Sequence, residues 1–600
     1  MVSVWMRTDP APSASLAARV APPAADPWTG AVLVDVDDDA SAEVLRALGE
    51  RVASAIAPYA WPAGASALGD ELSDPANLFR LEPPPSEVPD ILRELRGQEG
   101  VEVVERERTW SVPEGAGRLV ASPARGGAVP APQDGEGFVP NDPYYRHQWH
   151  LDQIGMPRAW QQARGAGAVV AVVDTGVAHR SGGRFHRAPD LAQTELVPGW
   201  DFVHNDPHPD DEHGHGTHVA GTIAQSTNNG LGVAGVAPAA AIMPLQVLDR
   251  HGSGGWGAIA AAIRYAADHG ADVINMSLGG GFPSGSVQRA IAYAHGKGVL
   301  VVAAAGNSGR SRVDYPARHD HVLSVGAVRY DRELTFYSNY GKGLDIVAPG
   351  GDLRVDQNGD GLPDGVIQNT IVRGDPTSFD YLAWQGTSMA SPHVAGVAAL
   401  VYGAGVRDPD AVERILRTSA ADLDDQERYA DGLVQADGAL RLASQGSAAG
   451  RAAVAGLLVL LLGVGLRRRL GVSLAVVGPV ALLVAGAAGV LPWHLVGAGG
   501  HGSSLALGPL GLSALAAGPT LGLLVLSVLP FFGLVALTLS LEGFRGPLVG
   551  VGLGMAAFLT VEALWPTLRV GLVPELLVGP WLLASATATF LLALLVARRG

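Results

Sequence analysis

Apolar positions in the middle of the chain fall in short continuous runs that end at turn residues. Residues 169–176 read VVAVVDTG, and residues 298–305 form a similar run that leads into Gly306 and Asn307. Such runs are typical of strands covered on both faces, as in a parallel sheet. The pattern predicts an α/β domain with polar residues at the carboxyl ends of its strands, where these sheets place functional groups.

The last quarter of the chain follows a different pattern. Residues 452–597 are dominated by Leu, Val, Ala and Gly, with few charges. A membrane span needs about 20 apolar residues, and the pattern predicts five spans: 449–466, 470–491, 520–541, 548–565 and 576–597. Residues 505–517 could add a re-entrant or interfacial piece, or a sixth span. We therefore predict an all-α transmembrane domain over 446–600, with the lipid membrane as a partner.

Arginine placement orients these spans. Arg467, Arg468, Arg469, Arg545, Arg598 and Arg599 lie on one side of the five-span arrangement, against Arg569 alone on the other. The positive-inside rule makes the arginine-rich side cytoplasmic, so we expect a cytoplasmic C-terminus and an extracytoplasmic domain ahead of the first span. Residues 1–28 contain no continuous apolar run of an export signal, so this signal is expected upstream or in a cryptic form.

The N-terminal part has the pattern of a small α+β unit. Strand-like segments at 32–36, 78–81 and 101–106 alternate with amphipathic segments at 40–56 and 86–96, which predicts a domain over 30–111. Residues 1–29 are expected to be disordered. Residues 112–138 are rich in Pro, Gly and Ala, a composition typical of a flexible linker.

Candidate chemistry begins at residues 385–396, QGTSMASPHVAG, where Ser388 opens a helix of small and apolar residues. Unpaired N–H groups at a strand-to-helix junction would suit a nucleophile that must also hold an oxyanion. A serine that only caps the helix is the structural alternative. Asp174 follows the strand at 169–173, and His215 begins a helix in HGHGTHVAGTIA. Each of the three has a structural alternative alone, but together they indicate a catalytic set.

Taken together, these motifs resemble those of the subtilisin-like serine proteases, the subtilases of peptidase family S8, over residues 139–445. The order Asp, His, Ser is the subtilisin order. The resemblance implies a three-layer domain with a mainly parallel sheet and a serine endopeptidase that works through an acyl-enzyme. It gives Ser388 the role of nucleophile, His215 that of base, Asp174 that of orienting carboxylate and Asn307 that of oxyanion donor. We expect His218 to be a packed neighbour and His213 to face solvent.

The resemblance also implies a groove that binds extended peptide or protein substrates between two backbone segments. The matching residues are Gly252, Ser253, Gly254, Ser277, Leu278 and Gly279, with Ala304 and Gly306 as walls of the primary specificity pocket. The sequence shows no acidic cluster at this pocket, so an apolar or neutral preference is expected.

Composition excludes some alternatives. The chain has no Cys, which excludes disulfides, and its net charge of −16 argues against nucleic acid as a partner. Structural Ca²⁺ is expected instead. By resemblance, the ligands are Asp142, Asp190 and Asn229 with the carbonyls of Thr227, Leu231 and Val233. A second candidate is the loop DQNGDGLPD, whose Asp356, Asn358, Asp360 and Asp364 alternate oxygen side chains around a glycine.

Finally, residues 30–111 resemble the inhibitory prodomain of subtilases, which implies that the chain carries its own intramolecular inhibitor as a zymogen. The whole pattern predicts a membrane-anchored serine endopeptidase. The competing interpretation is a membrane receptor or transporter component whose subtilase domain only binds peptides. An intact catalytic set disfavours that interpretation, because a binding protein has no chemical need for it.

Overall fold

The structure, a computed structural model, describes residues 28–37, 57–58, 78–112, 118–119, 137–372 and 375–444, together with residues 587 and 590. Most of the predicted spans, and the amphipathic segment at 40–56, therefore lie outside the described residues.

A seven-stranded sheet forms the centre of the larger domain. Its strands are β6 Val169–Asp174, β7 Trp200–Asp201, β8 Ala241–Gln246, β10 Val273–Met276, β11 Leu300–Ala304, β12 Val322–Val328 and β13 Ile346–Pro349. They lie in the order β13, β12, β11, β10, β6, β8, β7, and all six pairings are parallel. Every residue of β10 to β13 is buried, so both faces of the sheet are covered. The predicted α/β domain with a mainly parallel sheet is confirmed.

Two pairs of helices pack on this sheet. Helix α4 (His215–Ala224) packs on α7 (Thr387–Gly403), and α5 (Trp256–Asp268) packs on α6 (Gly285–Gly296). Helix α7 is buried from Thr387 to Tyr402 because small and apolar residues occupy all of its faces. The larger domain also contains helices α2 Trp149–Gln153, α3 Met156–Ala159, α8 Pro409–Thr418 and α9 Gln426–Tyr429.

Residues 28–37, 57–58 and 78–112 form a smaller antiparallel sheet with one helix. The strands are β1 Trp28–Val36, β2 Ala57–Pro58, β3 Leu78–Leu81 and β4 Val101–Ser111, and the helix is α1 Val88–Leu95. This unit has its own core, which includes Val32, Val34, Leu81 and Val104. Strand β1 begins two residues before the predicted domain boundary. Strand β4 continues into an antiparallel pairing with β9 (Ser253–Gly255) of the larger domain.

A third, antiparallel sheet lies just ahead of α7. Strands β14 (Val366–Val372) and β15 (Asp375–Trp384) form a hairpin, and β15 also pairs with β5 (Arg118–Leu119). The segment predicted as a flexible linker, 112–138, therefore contains a short strand that is held by main-chain pairing.

No helix in the part of the chain that the structure describes combines the length and the apolar character needed to cross a bilayer. The five predicted spans fall within residues 446–600, of which the structure describes only 587 and 590.

Candidate active site

Asp174 and His215 meet at the carboxyl edge of the parallel sheet. Asp174 is the last residue of β6, and His215 is the first residue of α4. Nδ1 of His215 lies 2.7 Å from Oδ1 of Asp174, and both residues are buried. The same carboxylate oxygen accepts the backbone N–H of Thr175 at 2.7 Å. The Thr175 N–H holds the carboxylate in place, and the carboxylate accepts the proton of Nδ1. Nε2 of His215 is therefore the ring nitrogen that is available as a base.

Ser388 lies at the start of α7, where the sequence places it. Its hydroxyl donates to the backbone carbonyl of Ser277 at 3.2 Å, and the Ser277 hydroxyl donates to the Ser388 carbonyl at 2.8 Å. Nε2 of His215 has no hydrogen-bond partner among the described residues. The resting hydroxyl is therefore engaged with the wall of the substrate groove and not with the base.

Asn307 and the Ser388 backbone N–H converge on one point. A Cβ built on Gly386 would lie 3.4 Å from Nδ2 of Asn307 and 3.6 Å from the Ser388 nitrogen. Gly386 has a φ of +152°, which favours glycine. Nδ2 of Asn307 and the Ser388 nitrogen thus lie close to the same point beside Gly386, an arrangement that is compatible with two donors to one oxyanion.

Thr387 fixes the orientation of the Asn307 amide. Oδ1 of Asn307 accepts the backbone N–H of Thr387 at 2.8 Å and the Thr387 hydroxyl at 2.9 Å. With its oxygen bound in this way, the amide presents Nδ2 to the open side. Sequence reasoning did not single out Thr387, although its position next to Ser388 in GTSMA could have drawn attention to it.

Three imidazoles surround Trp384, the last residue of β15. His218 is fully buried and stacks on Trp384 with ring centroids 5.2 Å apart, while the His215 centroid is 5.7 Å away. Nε2 of His218 donates to the Val366 carbonyl at 3.0 Å, and burial lowers the pKa of His218 to about 3. His218 is therefore a neutral packed neighbour.

His213 differs from expectation. It is half-buried, and its ring centroid lies 6.2 Å from that of His215. Oδ1 of Asp211 accepts the backbone N–H groups of His213 and Gly214, both at 2.8 Å. These bonds turn the loop inward, so His213 lies beside the catalytic base and does not project into solvent.

The two predicted substrate-binding segments flank a strand of this same chain. Trp110 and Ser111 of β4 pair with Gly254 and Ser253 of β9, and the Val112 N–H donates to the Gly252 carbonyl at 2.9 Å. On the other side, Ser111 and Gly279 exchange two backbone hydrogen bonds of 3.2 and 3.1 Å. The segment 109–112 thus forms the middle strand between 252–255 and 279.

Trp110 fills a pocket next to this strand. Its side chain is buried and its ring centroid lies 5.7 Å from that of Trp256. Cδ1 of Trp110 lies 2.6 Å from the position that a Cβ on Gly280 would occupy. Leu278 is buried next to Ser277, whereas Ala304 ends β11 and Gly306 precedes Asn307. Of the predicted groove residues, Ser277 contacts Ser388 directly, and Gly252, Ser253, Gly254 and Gly279 line the strand 109–112.

The first predicted calcium set is partly assembled. Asp142 accepts the backbone N–H groups of Asn228 and Asn229 at 2.7 and 3.0 Å. Asp190 accepts the Val233 N–H at 3.0 Å and Nδ2 of Asn229 at 2.9 Å. Burial raises the pKa of both carboxyls, that of Asp190 to about 7.

The orientation of Asn229 is less suited to a cation. Its Oδ1 accepts the Leu231 N–H at 2.8 Å, and its nitrogen faces Asp190. The hydroxyl of Tyr381, which sequence reasoning missed, also lies 3.4 Å from Asp190. Calcium coordination through Asn229 would require its amide to turn over, and both oxygens of each carboxylate already accept N–H groups. The backbone carbonyls of Thr227, Leu231 and Val233 belong to the same loop.

The second predicted set lies in a tight loop at 356–364. Asp356 accepts the N–H groups of Gly359 and Gly361, at 2.8 and 3.0 Å, and Asp360 pairs with Nδ1 of His147 at 2.9 Å. Asp364 is buried, and its Oδ1 has no hydrogen-bond partner among the described residues. Burial, followed by the charges of Asp356 and Asp360, raises the pKa of Asp364.

The backbone bends that close this loop also orient Asn358, whose Oδ1 accepts the Asp360 N–H at 2.9 Å. Within the described residues, no cluster of three or more His, Asp or Glu side chains has the arrangement of a metal site. Both predicted calcium sites therefore depend on amide and carbonyl oxygens as well as carboxylates.

A family model described as the Subtilase family matches residues 165–436. Thermitase from Thermoactinomyces vulgaris is 44% identical over 269 residues, which cover 45% of this chain and 87% of thermitase. Subtilisin Savinase from Lederbergia lenta is 39% identical over 298 residues, or 49% of this chain and 98% of that protein. The chain belongs to the subtilase family, and it is a serine endopeptidase.

Among solved structures, fervidolysin from Fervidobacterium pennivorans, a keratinolytic enzyme related to subtilisin, is similar with a TM-score of 0.53 and 25% identity. The similarity covers 69% of this chain and 61% of fervidolysin. The larger domain accordingly has the subtilisin-like α/β fold.

Proposed function

We propose that Ser388, His215, Asp174 and Asn307 carry out the peptide hydrolysis of this endopeptidase. The Ser388 hydroxyl attacks the substrate carbonyl while Nε2 of His215 takes its proton, and the leaving amine receives that proton as the acyl-enzyme forms. Asp174 orients the imidazole and stabilises its positive charge. Nδ2 of Asn307 and the Ser388 N–H hold the oxyanion, and water then releases the acyl group by the reverse sequence.

The observation that carries this proposal is the 2.7 Å bond between Asp174 and His215 beside two converging N–H donors. The reaction requires the Ser388 hydroxyl to turn from the Ser277 carbonyl to Nε2 of His215. Catalytic hydrogen bonds often form only when substrate binds. The mechanism therefore needs a side-chain rotation at Ser388, in addition to removal of the strand 109–112 from between the two predicted substrate-binding segments.

Covalent labelling tests the assignment. A fluorophosphonate should label the full-length protein at Ser388, and Ser388→Ala should abolish both labelling and hydrolysis of a protein substrate. Ser391→Ala is a matched control, because Ser391 lies on the same helix and its hydroxyl instead donates to Asn275 at 2.7 Å. Equal labelling of wild type and Ser388→Ala would contradict the proposal.

We also propose that residues 30–111 inhibit the enzyme before maturation. Supporting this role, the segment 109–112 pairs with both walls of the groove in the way that a substrate main chain would. The chain leaves the groove at Val112 and pairs with β15 at Arg118 and Leu119. A strand in this position excludes other peptides from Ser388, and cleavage in the linker 112–138 would release the mature enzyme.

Two glutamates of β4 strengthen this interaction by capping helices of the catalytic domain. Glu105 accepts the N–H groups of Gly285 and Ser286 at the start of α6, at 3.0 and 3.1 Å, and the Ser284 hydroxyl at 2.7 Å. Glu107 accepts the Gly257 N–H at the start of α5 at 3.2 Å. Carboxylates at helix N-termini satisfy unpaired donors and interact favourably with the helix dipole.

Calcium is proposed as a structural cofactor at the two sites described above. The support comes from the chain's own oxygens: Asp142 and Asp190 are buried close together, and Asp364 has an unpartnered buried oxygen in a loop with Asp356 and Asp360. Ca²⁺ takes six to eight oxygen ligands. Asn229, Asn358 and the carbonyls of Thr227, Leu231 and Val233 would supply the rest, and bound ions would brace both loops.

Membrane attachment through residues 446–600 remains our proposal from the sequence, with the catalytic domain extracytoplasmic and the C-terminus cytoplasmic. The apolar pattern and the one-sided arginines support it. Fractionation should find the protein in membranes that resist carbonate extraction. A reporter fused after Gly600 should be active only in the cytoplasm, and activity outside would contradict the orientation.

A further inference from the structure

Asp314 lies where three segments of the primary specificity pocket meet. One wall is 304–307, which ends at the oxyanion donor Asn307, and the other is the substrate-binding segment 277–280. The Asp314 N–H donates to the Ala305 carbonyl at 3.0 Å, and the next residue, Tyr315, exchanges hydrogen bonds of 2.9 and 2.8 Å with Gly280. Residues 314–315 therefore bridge the two walls and close the space between them.

The carboxylate of Asp314 faces the wall residue Gly306. A Cβ built on Gly306 would lie 2.4 Å from Oδ2 of Asp314. Gly306 has a φ of +104°, so glycine satisfies both the backbone conformation and the close approach of the carboxylate. Nδ2 of Asn339 lies at the same distance of 2.4 Å from this position, so the amide and the carboxylate together pack against Gly306, a wall residue of the predicted pocket.

The neighbours of this carboxylate leave its negative charge available. Oδ2 of Asp314 accepts from the neutral amide of Asn339 at 3.0 Å. Arg310 donates to the Ser308 hydroxyl at 2.9 Å, and Arg312 donates to the Gly281 carbonyl at 3.1 Å. Both guanidinium groups are thus directed to other oxygens, although their charges act on Asp314 at longer range.

Burial is the largest influence on Asp314 and raises the pKa of its carboxyl, while the charges of Arg310 and Arg312 lower it. Arg310 and Arg312 offset part of the charge of Asp314 from a distance, but its direct hydrogen-bond partner is a neutral amide, so a cation that bonds to the carboxylate in a water-poor pocket would still gain from it. An apolar side chain placed there would desolvate the carboxylate without compensation.

We propose that Asp314 selects substrates with Arg or Lys on the acyl side of the scissile bond. The sequence predicts an apolar or neutral pocket, because its acidic residues form no cluster near Asn307. Asp314 lies seven residues after Asn307, and the fold brings it back to the wall segment 304–307 through the hydrogen bond with Ala305. The sequence alone does not predict this contact. This inference rests on the proposed assignment of the active site.

The experiment compares peptide substrates that differ only at the residue before the scissile bond. Full-length protein is allowed to mature, and rates are normalised to active sites titrated with a fluorophosphonate, so that misfolded or inhibited molecules are not counted. The substrates carry Arg or its neutral isostere citrulline, Lys or norleucine, and Phe. A hydrogen bond to a charged group contributes about 1.5–3 kcal/mol, so wild type should favour Arg over citrulline by about 10- to 100-fold in kcat/KM.

Asp314→Asn keeps the size of the side chain and should reduce the Arg-to-citrulline ratio to near one, while kcat/KM for Phe should rise because a neutral amide costs less to desolvate than a carboxylate. Asp320→Asn is the matched control, since it removes a charge from an exposed position nearby and should leave the ratio unchanged. A wild-type ratio near one, or an equal loss on every substrate in Asp314→Asn, would overturn the inference. A protein that labels with fluorophosphonate but shows no basic preference refutes this inference alone, whereas absent labelling refutes the active-site assignment.

Discussion

Nδ1 of His215 lies 2.7 Å from Oδ1 of Asp174, and both side chains are buried at the carboxyl edge of the sheet. The positive charge that His215 gains during the reaction would be costly at such a buried position without a counter-charge. Asp174 supplies that charge and fixes which ring nitrogen carries the resting proton. The geometry therefore supports the proposed role of Asp174, which is to stabilise the charged imidazole in the transition state.

Replacing Asp174 by Asn should lower kcat by about four orders of magnitude with little change in KM. The amide can hold the ring in the wrong tautomer and carries no charge. The magnitude is the one known for the catalytic aspartate of subtilisin and trypsin. Steady-state kinetics on a peptide substrate measures it. Asp201→Asn, at another buried strand end, should retain most of the activity, and comparable losses in the two variants would contradict the assignment.

Replacing Asn307 by Ala should reduce kcat by about 100- to 1,000-fold, the range known for the oxyanion asparagine of subtilisin, with KM nearly unchanged. Thr387→Val should have a smaller effect, since the Thr387 N–H still holds Oδ1 of Asn307 at 2.8 Å after the hydroxyl is lost. If Asn307→Ala raises KM and leaves kcat intact, the amide binds the ground state and is not an oxyanion donor.

The sequence predicted the parts of the fold that depend on local pattern. The run at 169–173 appears as β6, and the small-residue segment after Gly386 appears as the buried helix α7. Asp174, His215 and Ser388 could be located because family motifs surround them. Trp384 and Asp314 could not, because their importance comes from contacts with residues that are distant in sequence, whereas Thr387 was missed although it lies next to Ser388.

His213 is a residue for which the sequence predicted exposure to solvent and the structure shows a half-buried position. Its loop is polar and rich in Asp and His, a composition that predicts exposure. Two hydrogen bonds to Asp211 turn that loop toward the catalytic base. A pairing of this kind depends on backbone geometry, which composition does not encode.

Removing the helix caps should weaken the proposed inhibition by residues 30–111. A side-chain cap is worth about 0.5–2 kcal/mol, so Glu105→Ala should accelerate fluorophosphonate labelling of the unprocessed full-length chain by roughly 2- to 30-fold. Glu94→Ala is the control, because Glu94 is exposed on α1. If Glu105→Ala and Glu94→Ala label at the wild-type rate, Glu105 does not hold the strand in the groove.

Chelation of calcium should lower the melting temperature of the catalytic domain. An ion present at about 100 times its Kd adds about 2.7 kcal/mol of stability, which corresponds to roughly 5–10 °C for a domain of this size. Calorimetry with and without EGTA on the Ser388→Ala background avoids self-digestion. Asp364→Asn should remove part of the calcium-dependent increment and Asp190→Asn another part. Identical melting curves with and without EGTA would exclude a structural calcium ion.

A buried pair of histidines connects α2 and α7. Nδ1 of His150 lies 2.7 Å from Nε2 of His393, and Nδ1 of His393 donates to the Met389 carbonyl at 2.7 Å. Both rings are fully buried. Because His393 donates through Nδ1, its Nε2 must accept, so His150 donates through Nδ1. This arrangement requires His393 to be neutral, and burial disfavours a charge on His150.

The pair should make the folded state sensitive to acid. Burial lowers the pKa of His393 to about 4 and also holds the pKa of His150 well below its usual value, whereas histidines in the unfolded chain titrate near 6.5. Between about pH 4 and 6.5 the unfolded state thus binds more protons than the folded state, so the free energy of unfolding falls as the pH drops through this window. Above pH 6.5 this contribution is complete and no longer changes with pH.

Urea unfolding of the Ser388→Ala protein from pH 7.5 to 4.5 measures this dependence. His393→Gln keeps an acceptor for His150 and removes one of the titrating groups, so its unfolding free energy should fall less steeply with acid than that of the parent. His251→Gln, at an exposed position, should retain the parent's slope. If the parent and His393→Gln lose stability in parallel between pH 6.5 and 4.5, the acid sensitivity arises elsewhere in the domain.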